Sequence, residues 1–367
     1  MALTGQRSRP ALGSPASVLA GHRILLDCRW LGMGGAGRAT ELLLRSLAEL
    51  QPPGDWLLWA APQTPPCTWP GAKLVEGRHS PKALLGQREA FAAPAHDLAV
   101  YPHQYRPLRP GASVTLIHDT IPLRLNGTPP GRALKRLFLR LVARRSTHLL
   151  TVSAFSRDCL VRDLGVSPDK VTVLRYPADL AMAARVRALR GQVTPRAAVL
   201  FVGRFSPHKN LPRLLAAFPR TAFARRGGEL LLVGGAPAEV DVFRSLVARR
   251  GLRGVQIAGV VPQPALERLY ASVRALVLPS LEEGFGLPAW EALACGLPLC
   301  VSDGGALPEV VQGAATPFAA RSPTALVAAL DRAVAEPVGA PAPPHVLART
   351  CNDLGKQLVR VLAGADW

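Results

Sequence analysis

The sequence Glu283-Gly284-Phe285-Gly286-Leu287-Pro288-Ala289-Trp290-Glu291 joins a predicted strand to a predicted helix. The apolar run from Ala275 to Leu278 precedes it and is typical of a buried parallel strand. The run that begins at Trp290 and stops before Gly296 is typical of a helix. The stretch is therefore a strand-to-helix turn with a carboxylate at each end.

Two features of this turn suit a polar ligand. Gly284 and Gly286 let backbone N–H groups approach a ligand closely, and a helix N-terminus attracts phosphate or hydroxyl-rich groups. The carboxylates of Glu283 and Glu291 can each accept two hydroxyl hydrogen bonds, which suits a polyol. The spacing alone leaves an ordinary loop with surface glutamates as an equal alternative.

A second turn contributes cations. A predicted strand at 197–202 leads into Gly203 and Arg204, and Lys209 follows at the start of a predicted helix. Both cations and the helix N-terminus would converge on one anion. The alternative is a pair of solvated surface cations.

Two turns in the first half of the chain also follow predicted strands. The glycine loop at 33–38 follows the strand at 23–28, and a tight turn is its alternative interpretation. His118 and Asp119 follow the strand at 113–117, at the end where open α/β sheets bind ligands. An imidazole there can donate a hydrogen bond to a sugar hydroxyl, although a lone histidine in such a loop is usually structural.

Strands and helices alternate in both halves of the chain, which predicts two parallel, doubly wound sheets of the α/β class. The 367 residues are enough for two domains. We expect a tail without fixed structure at 1–20, a first Rossmann-like domain at 21–184, a second at 185–345, and a final helix at 346–367.

The composition limits the chemical class of partner and the cellular compartment. Lys and Arg number 44 against 25 Asp and Glu, a formal charge of +19, which predicts an anionic partner such as a nucleotide sugar, a lipid headgroup or nucleic acid. The low aromatic content and the absence of an RNA-binding or zinc-finger pattern argue against nucleic acid. The six cysteines form no CxxC pair, which favours a reduced cytosolic compartment.

Residues 131–146 predict a basic amphipathic helix. Arg132, Arg136, Arg140 and Arg144 recur at every fourth position and share one face. We expect the apolar residues of the segment to fill the other face, and these are Leu134, Leu137, Phe138, Leu141 and Val142. One interpretation is peripheral docking on an anionic membrane, and the other is a solvated face over the core.

Together, these turns resemble the motifs of retaining GT-B glycosyltransferases of the group 1, or GT4, type. The stretch at 283–291 resembles the family's Glu-x7-Glu signature, and the turn at 202–210 resembles its diphosphate loop. Further segments match in the same order, namely 33–38, 117–119, 152–157 and 302–310. The resemblance implies two Rossmann-like domains facing across a cleft, the first binding the acceptor and the second the nucleotide sugar, with the last helix crossing back to the first.

The resemblance also implies roles for individual residues. Arg204 and Lys209 would hold the departing diphosphate, Glu283 would hold donor-sugar hydroxyls, and His118 would touch the donor sugar. The remaining donor-binding positions would be Gly34, Gly35, Gly203, Val261, Phe285, Gly286, Leu287 and Glu291. No Asp-x-Asp pair is present to hold a magnesium ion, so we expect no metal and no cofactor besides the sugar nucleotide as co-substrate.

The implied function is transfer of a mannose, rhamnose or glucose from a nucleoside diphosphate to a glycan or lipid-linked glycan in the cytoplasm, during surface polysaccharide synthesis. The first alternative is a GT-B epimerase or phosphorylase, which would not be expected to carry Glu-x7-Glu and Arg-x4-Lys together. The second is a non-catalytic basic binding protein.

Overall fold

The computed structural model describes residues 17–365, except for 63, 66–68, 78–92, 109 and 316. The chain divides into two compact units. Unit 1 comprises residues 1–116, 142–149 and 351–367, and unit 2 comprises residues 117–141 and 150–350. The predicted domain division at 184/185 stays a prediction.

The strands are short and mostly buried. They are β1 Arg23–Asp27, β2 Asp55–Ala60, β3 Lys73–Glu76, β4 Leu98–Tyr101, β5 Ala112–Leu116, β6 His148–Thr151, β7 Val171–Val173, β8 Ala198–Gly203, β9 Glu229–Gly234, β10 Val255–Gly259, β11 Ala275–Leu278 and β12 Leu299–Val301.

Helices follow most of the strands. They are α1 Gly34–Leu50, α2 Pro129–Arg145, α3 Ala154–Leu164, α4 Leu180–Arg190, α5 Leu211–Ala217, α6 Ala222–Arg225, α7 Pro237–Arg249, α8 Gln263–Ser272, α9 Leu287–Cys295, α10 Leu307–Val311, α11 Pro323–Ala335, α12 Pro344–Leu347 and α13 Cys351–Gly364.

Unit 1 is built on parallel strands in the order β3-β2-β1-β4-β5. Leu25 of β1 is aligned with Leu57 of β2 on one side and Ala99 of β4 on the other. The final helix α13 packs closely on α1, since a Cβ at Gly355 would lie 2.6 Å from the Ser46 carbonyl oxygen. Only glycine permits this approach of two helices.

Unit 2 contains a five-stranded parallel sheet in the order β10-β9-β8-β11-β12. Every residue of β11 is fully buried, as expected for a strand covered on both faces. Counted along the chain this order is 3-2-1-4-5, so the direction of winding reverses between β8 and β11. In such sheets the ligand crevice opens beyond the carboxyl ends of the strands at this reversal.

The prediction of two parallel, Rossmann-like sheets is confirmed. Two helix starts were wrong, because α1 begins at Gly34 and α9 at Leu287, so the glycines predicted as loop lie at or next to a first helical turn. The predicted tail is too long, since Ser17–Leu19 form a 3-10 helix with Leu19 buried. Residues 1–16 lie outside the described part of the chain.

The predicted helix at 131–146 exists as α2, and of the apolar residues predicted to share one face only Val142 is buried. Leu134 is 70% exposed, Leu137 66% and Leu141 38%, so these leucines do not fill a core-facing side. The buried side is narrower and consists of Leu139, Val142 and Ala143.

Candidate active site

The reversal point of the unit 2 sheet brings together the two turns that the sequence singles out. Strand β8 leads through Gly203 to a 3-10 helix at Pro207–Lys209, and the neighbouring β11 leads to Glu283. The Lys209 Nζ donates to Glu283 Oε1 at 2.6 Å. Both side chains are nearly buried, with exposures of 12% and 8%.

The carboxylate of Glu283 is held in its ionised form. Burial raises its pKa, but the charge and hydrogen bond of Lys209 and the hydroxyl of Ser280 outweigh burial, so the pKa of Glu283 lies below its ordinary value. The Ser280 Oγ donates to the same Oε1 at 2.6 Å. The carboxylate is therefore fixed in orientation and can act as an acceptor for hydroxyl groups.

Close backbone packing sets the path of this turn. A Cβ at Gly305, where φ is +68°, would lie 2.4 Å from the Glu283 carbonyl oxygen. A Cβ at Gly286, where φ is +91°, would lie 2.7 Å from Leu307 Cδ2. The Ala306 N–H donates to the Glu283 carbonyl at 2.9 Å. The segment at 302–306 thus acts as a clamp that packs against the backbone of this loop.

The His118–Asp119 turn packs on the same loop. The His118 carbonyl oxygen and the Asp119 Cβ would each lie 3.0 Å from a Cβ at Gly284. Asp119 Oδ1 accepts from the Ile121 N–H at 3.0 Å, which forms an Asx-turn just before the 3-10 turn at Ile121–Leu123. Burial and the charge of Glu283 raise the pKa of Asp119 to about 6. The role of the His118 ring stays a prediction.

The N-terminus of α3 also contacts the loop that contains Gly284. The sequence marked this region only through the match of the segment at 152–157. Ser153 and Ser156 each donate a hydroxyl hydrogen bond to the Gly284 carbonyl, at 2.6 and 3.1 Å. The Glu309 carboxylate accepts from the backbone N–H groups of Ala154 and Phe155, at 3.0 and 3.2 Å. The Gly284 carbonyl is therefore turned towards α3.

An ionic network beneath the loop was also missed. Arg124 pairs with Glu282 and with Asp163, and Thr120 joins through its hydroxyl. Asn126 Nδ2 lies 3.3 Å from His208 Nδ1. The sequence gives no signal for the ion pairs of Arg124 because its partners Asp163 and Glu282 lie 39 and 158 positions away.

Arg204 lies next to a different carboxylate. Its Nη2 donates to Glu239 Oε1 at 3.3 Å, and 68% of its side chain is exposed. Glu239 also accepts from the Ala236 N–H at 2.7 Å and the Phe205 N–H at 3.4 Å. The ends of β8 and β9 pack closely next to Arg204, since a Cβ at Gly234 would lie 2.1 Å from the Gly203 carbonyl oxygen.

His208 lies within range of both predicted cations and of two carboxylates. Burial, followed by the positive charges of Lys209 and Arg204, lowers the pKa of His208 to about 4 although Glu283 and Glu282 act in the opposite direction. Arg204 and Lys209 each pair with a different carboxylate, and their convergence on one anion stays a prediction. His208 itself is neutral at neutral pH, and its carbonyl accepts from the Leu281 N–H at 2.7 Å.

The remaining predicted residues fall into two groups. In unit 2, Glu291 is half-buried on α9 and accepts from the Tyr270 hydroxyl at 3.1 Å. Phe285 and Leu287 flank Gly286 at the N-terminus of α9, and Val261 follows the carboxyl end of β10. In unit 1, Gly34 and Gly35 open α1, and a Cβ at either would meet no atom within 4 Å. Contact of these residues with a donor stays a prediction.

Unit 1 has its own reversal point between β1 and β4, and aromatic side chains gather there. Trp30, which follows β1, stacks on His103, which follows β4, with ring centroids 4.0 Å apart. Tyr105 stacks on His103 at 5.2 Å. The Trp30 Nε1 is buried without a hydrogen-bond partner within the described residues. Sequence reasoning assigned no role to His103.

Within the described residues, no group of three His, Cys, Asp or Glu side chains is arranged to hold a metal ion. Independence from metal stays a prediction. No helix in the described part of the chain is long and apolar enough to cross a bilayer.

Comparison with known proteins agrees with the motifs. Residues 196–336 match the family model described as group 1 glycosyl transferases. The chain is 32% identical over 242 residues to O-antigen chain mannosyltransferase B of Escherichia coli, covering 63% of this chain and 64% of that protein. It is 31% identical over 231 residues to a glycogen synthase of Mycobacterium tuberculosis, covering 62% and 55%. The matches thus span less than two thirds of these relatives.

Solved structures share the fold over almost the whole chain. Sucrose-phosphate synthase from Thermosynechococcus elongatus superposes with a TM-score of 0.68 at 19% identity, covering 93% of this chain and 94% of that one. HepE of Anabaena, solved with UDP and glucose, gives 0.67 at 18% identity, covering 94% and 100%. The chain therefore has the GT-B fold, and its residues 196–336 are similar to group 1 glycosyl transferases.

Proposed function

We propose that this protein is a retaining glycosyltransferase that moves a hexose from a nucleoside diphosphate sugar to a hydroxyl group of a glycan or lipid-linked glycan. The observation that carries the proposal is the buried Lys209–Glu283 pair at the reversal point of the unit 2 sheet. A cation and an ionised carboxylate there match the two ends of such a donor, an anionic diphosphate and a ring of hydroxyl groups.

The relatives favour the hexose class. O-antigen chain mannosyltransferase B and the mycobacterial MMP alpha-(1->4)-mannosyltransferase are mannosyltransferases by name, and the second is 35% identical over 175 residues. HepE has been solved with UDP-glucose. GDP-mannose and UDP-glucose are therefore the first donors to try, with surface polysaccharide synthesis as the setting and the cytoplasm as the compartment.

The reaction breaks the bond between the anomeric carbon and the diphosphate oxygen. The acceptor hydroxyl oxygen forms a new bond to that carbon on the same face, and its proton passes to the departing phosphate oxygen. Lys209 and Arg204, with N–H groups of residues 285–287, would stabilise the negative charge that develops on the diphosphate. Donors fixed in place before the reaction are usually the largest contribution to such catalysis.

Glu283 orients the donor in this proposal. Its carboxylate would accept hydroxyl hydrogen bonds from the sugar, while Glu291 would accept those of the ribose. Because Lys209 and Ser280 already bond Oε1, the second oxygen of Glu283 is the one available to the sugar. His118 would donate to the sugar from its turn beside Gly284.

Two further assignments extend the proposal. The two cations would replace the metal ion that many diphosphate sites use, so activity should persist in a chelator. The partly exposed rings of His103 and Tyr105 support an acceptor glycan near the reversal point of unit 1, because an aromatic ring offers an apolar face together with a polar tip.

The test is a transfer assay with GDP-mannose, UDP-glucose and a deoxythymidine diphosphate sugar, each with mannose- and glucose-terminated oligosaccharides and EDTA. Proton NMR of the product reads the anomeric configuration. We expect an α-linked product from an α-linked donor. Inversion would contradict the retaining assignment, and release of an epimerised nucleotide sugar without acceptor would contradict transferase activity.

Variants locate the chemistry. Arg204→Ala and Lys209→Ala should each lower kcat by about 10²–10³, the scale of losing one fixed donor to a developing charge. The matched control is Arg253→Ala, which removes an exposed arginine from the turn before β10. This turn lies at the amino ends of the strands, whereas the proposed site lies at their carboxyl ends. Near-normal kcat in both site variants would refute their assignment.

A further inference from the structure

Helix α2 exposes a leucine stripe that packing in the described chain does not explain. Leu134, Leu137 and Leu141 are 70%, 66% and 38% exposed, and their spacing of three and four residues aligns them on one face. A single exposed leucine is ordinary on a protein surface, but an aligned row marks an interaction surface.

The helix is fixed by its opposite side. Leu139, Val142 and Ala143 are almost fully buried, and Ser146, just beyond the helix, is buried too. The orientation of α2 is therefore set by the core, and the leucine stripe faces outwards as a consequence of that packing.

Basic residues surround the stripe. The helix contains six Lys and Arg residues and no Asp or Glu. Arg140, Arg144 and Arg145 are exposed, and Arg144 lies two helical turns after Leu137, on nearly the same line. The face therefore combines apolar side chains with positive charge at its edge.

The charge and the apolar stripe of α2 favour one of three possible partners for this face. A second copy of this face would bring like charges together without a compensating acid, which disfavours self-association. Nucleic acid would match the arginines but leave the leucines without a role. An anionic lipid surface matches both, because leucines enter the boundary of the acyl chains while arginines contact phosphate headgroups.

We propose that α2 docks this protein on an anionic membrane, lying in the interface with Leu134, Leu137 and Leu141 towards the lipid. Its 17 residues span roughly 25 Å at 1.5 Å per residue, and the arginines exclude a spanning orientation. The inference rests on the surface of α2 alone and holds whether or not the proposed transfer reaction is correct. If both hold, docking brings the enzyme to a lipid-linked acceptor.

The test is co-sedimentation of the full chain with vesicles of phosphatidylcholine alone or with about a third of phosphatidylglycerol. We expect binding to the anionic vesicles only, weakened by salt. The double variant Leu134→Ser/Leu137→Ser should bind at least tenfold more weakly, and Arg140→Gln/Arg144→Gln should lose the preference for anionic lipid.

Matched controls on α7 distinguish docking through α2 from non-specific binding of the protein to vesicles. Val242→Ser removes a 62% exposed valine from α7, and Arg249→Gln/Arg250→Gln removes two basic residues at the end of that helix. Both should bind vesicles like the wild type. Thermal unfolding of all variants should be unchanged, because the substituted side chains are exposed.

Three results would overturn the proposal. They are wild-type protein that ignores anionic vesicles, a leucine variant that binds as well as Val242→Ser, and a leucine variant that changes only the oligomeric state. Transfer to a soluble oligosaccharide is measured in parallel. Since α2 contributes no residue to the active site, the leucine variants should keep that activity, so failure of docking and failure of the transfer reaction give different results.

Discussion

Lys209 and Glu283 form a buried ion pair at 2.6 Å across the two strands where the unit 2 sheet reverses its winding. They are 74 positions apart in the chain. The carboxylate of Glu283 neutralises the charge of Lys209 in this structure. Under the proposed function, a diphosphate that binds Lys209 has to share or replace this contact, and the consequences are measurable.

Removal of Lys209 should destabilise the fold through Glu283. Lys209→Ala leaves a buried carboxylate without its cation, which typically costs about 3 kcal/mol of unfolding free energy. The double variant Lys209→Ala/Glu283→Gln removes the stranded charge and should recover most of that loss, yet stay inactive. Urea unfolding and kcat of the three proteins check this. Equal stability of the single and double variants would show that the pair is not coupled.

Glu239 should compete with the donor for Arg204. Glu239→Gln keeps an oxygen for the Ala236 N–H but removes the charge beside the guanidinium. Because the pair is exposed and worth at most about 1 kcal/mol, nucleoside diphosphate should bind up to roughly fivefold more tightly. Calorimetric titration measures this, and the gain should vanish when Arg204→Ala is added. Weaker binding by Glu239→Gln would mean that Glu239 holds Arg204 in its working position.

Gly305→Ala should destabilise the protein by more than its positive φ angle alone would, because the new side chain would displace the loop that contains Glu283. Its Cβ would approach the Glu283 carbonyl, whereas a Cβ at Gly165, with a similar φ of +72°, meets nothing within 4 Å. We expect Gly165→Ala to lose about 1 kcal/mol of stability and Gly305→Ala about 3 kcal/mol, together with donor binding. Thermal unfolding and calorimetry measure both. Matching losses in the two variants would argue against a clamp at 302–306.

Asp119 should make stability depend on pH in a defined direction. Folding raises its pKa from 3.8 to about 6, so the group favours folding below pH 4 and that contribution is lost as the pH rises towards 6. Asp119→Asn cannot ionise and keeps an acceptor for the Ile121 N–H. Its stability relative to the wild type should therefore increase by up to about 3 kcal/mol between pH 4 and pH 7. A pH-independent difference would show that Asp119 does not titrate in this range.

Local patterns predicted the strands and the residues at their ends. Lys209 and Glu283 follow apolar runs that are typical of buried parallel strands, so their position at the carboxyl edge of a sheet was predictable. That the two side chains contact one another depends on the strand order, which the sequence does not encode locally. The contacts of Glu239 and Arg124 depend in the same way on partners that are distant in the chain.

The sequence pattern of helix α2 does not show which of its sides is buried. Its arginines recur every fourth residue, and the apolar residues between them could have faced either the core or a membrane. The structure buries Leu139, Val142 and Ala143 and leaves Leu134, Leu137 and Leu141 exposed. A pattern of charged and apolar residues identifies an amphipathic helix but not which medium its apolar face meets.

The most direct measurement is calorimetric titration of GDP and UDP into the wild type, Lys209→Ala and the Arg253→Ala control. At least one diphosphate should bind the wild type and the control equally, and should bind Lys209→Ala at least tenfold more weakly. Binding of neither diphosphate to the wild type, or undiminished binding to Lys209→Ala, would contradict the assignment of this site to a nucleotide sugar.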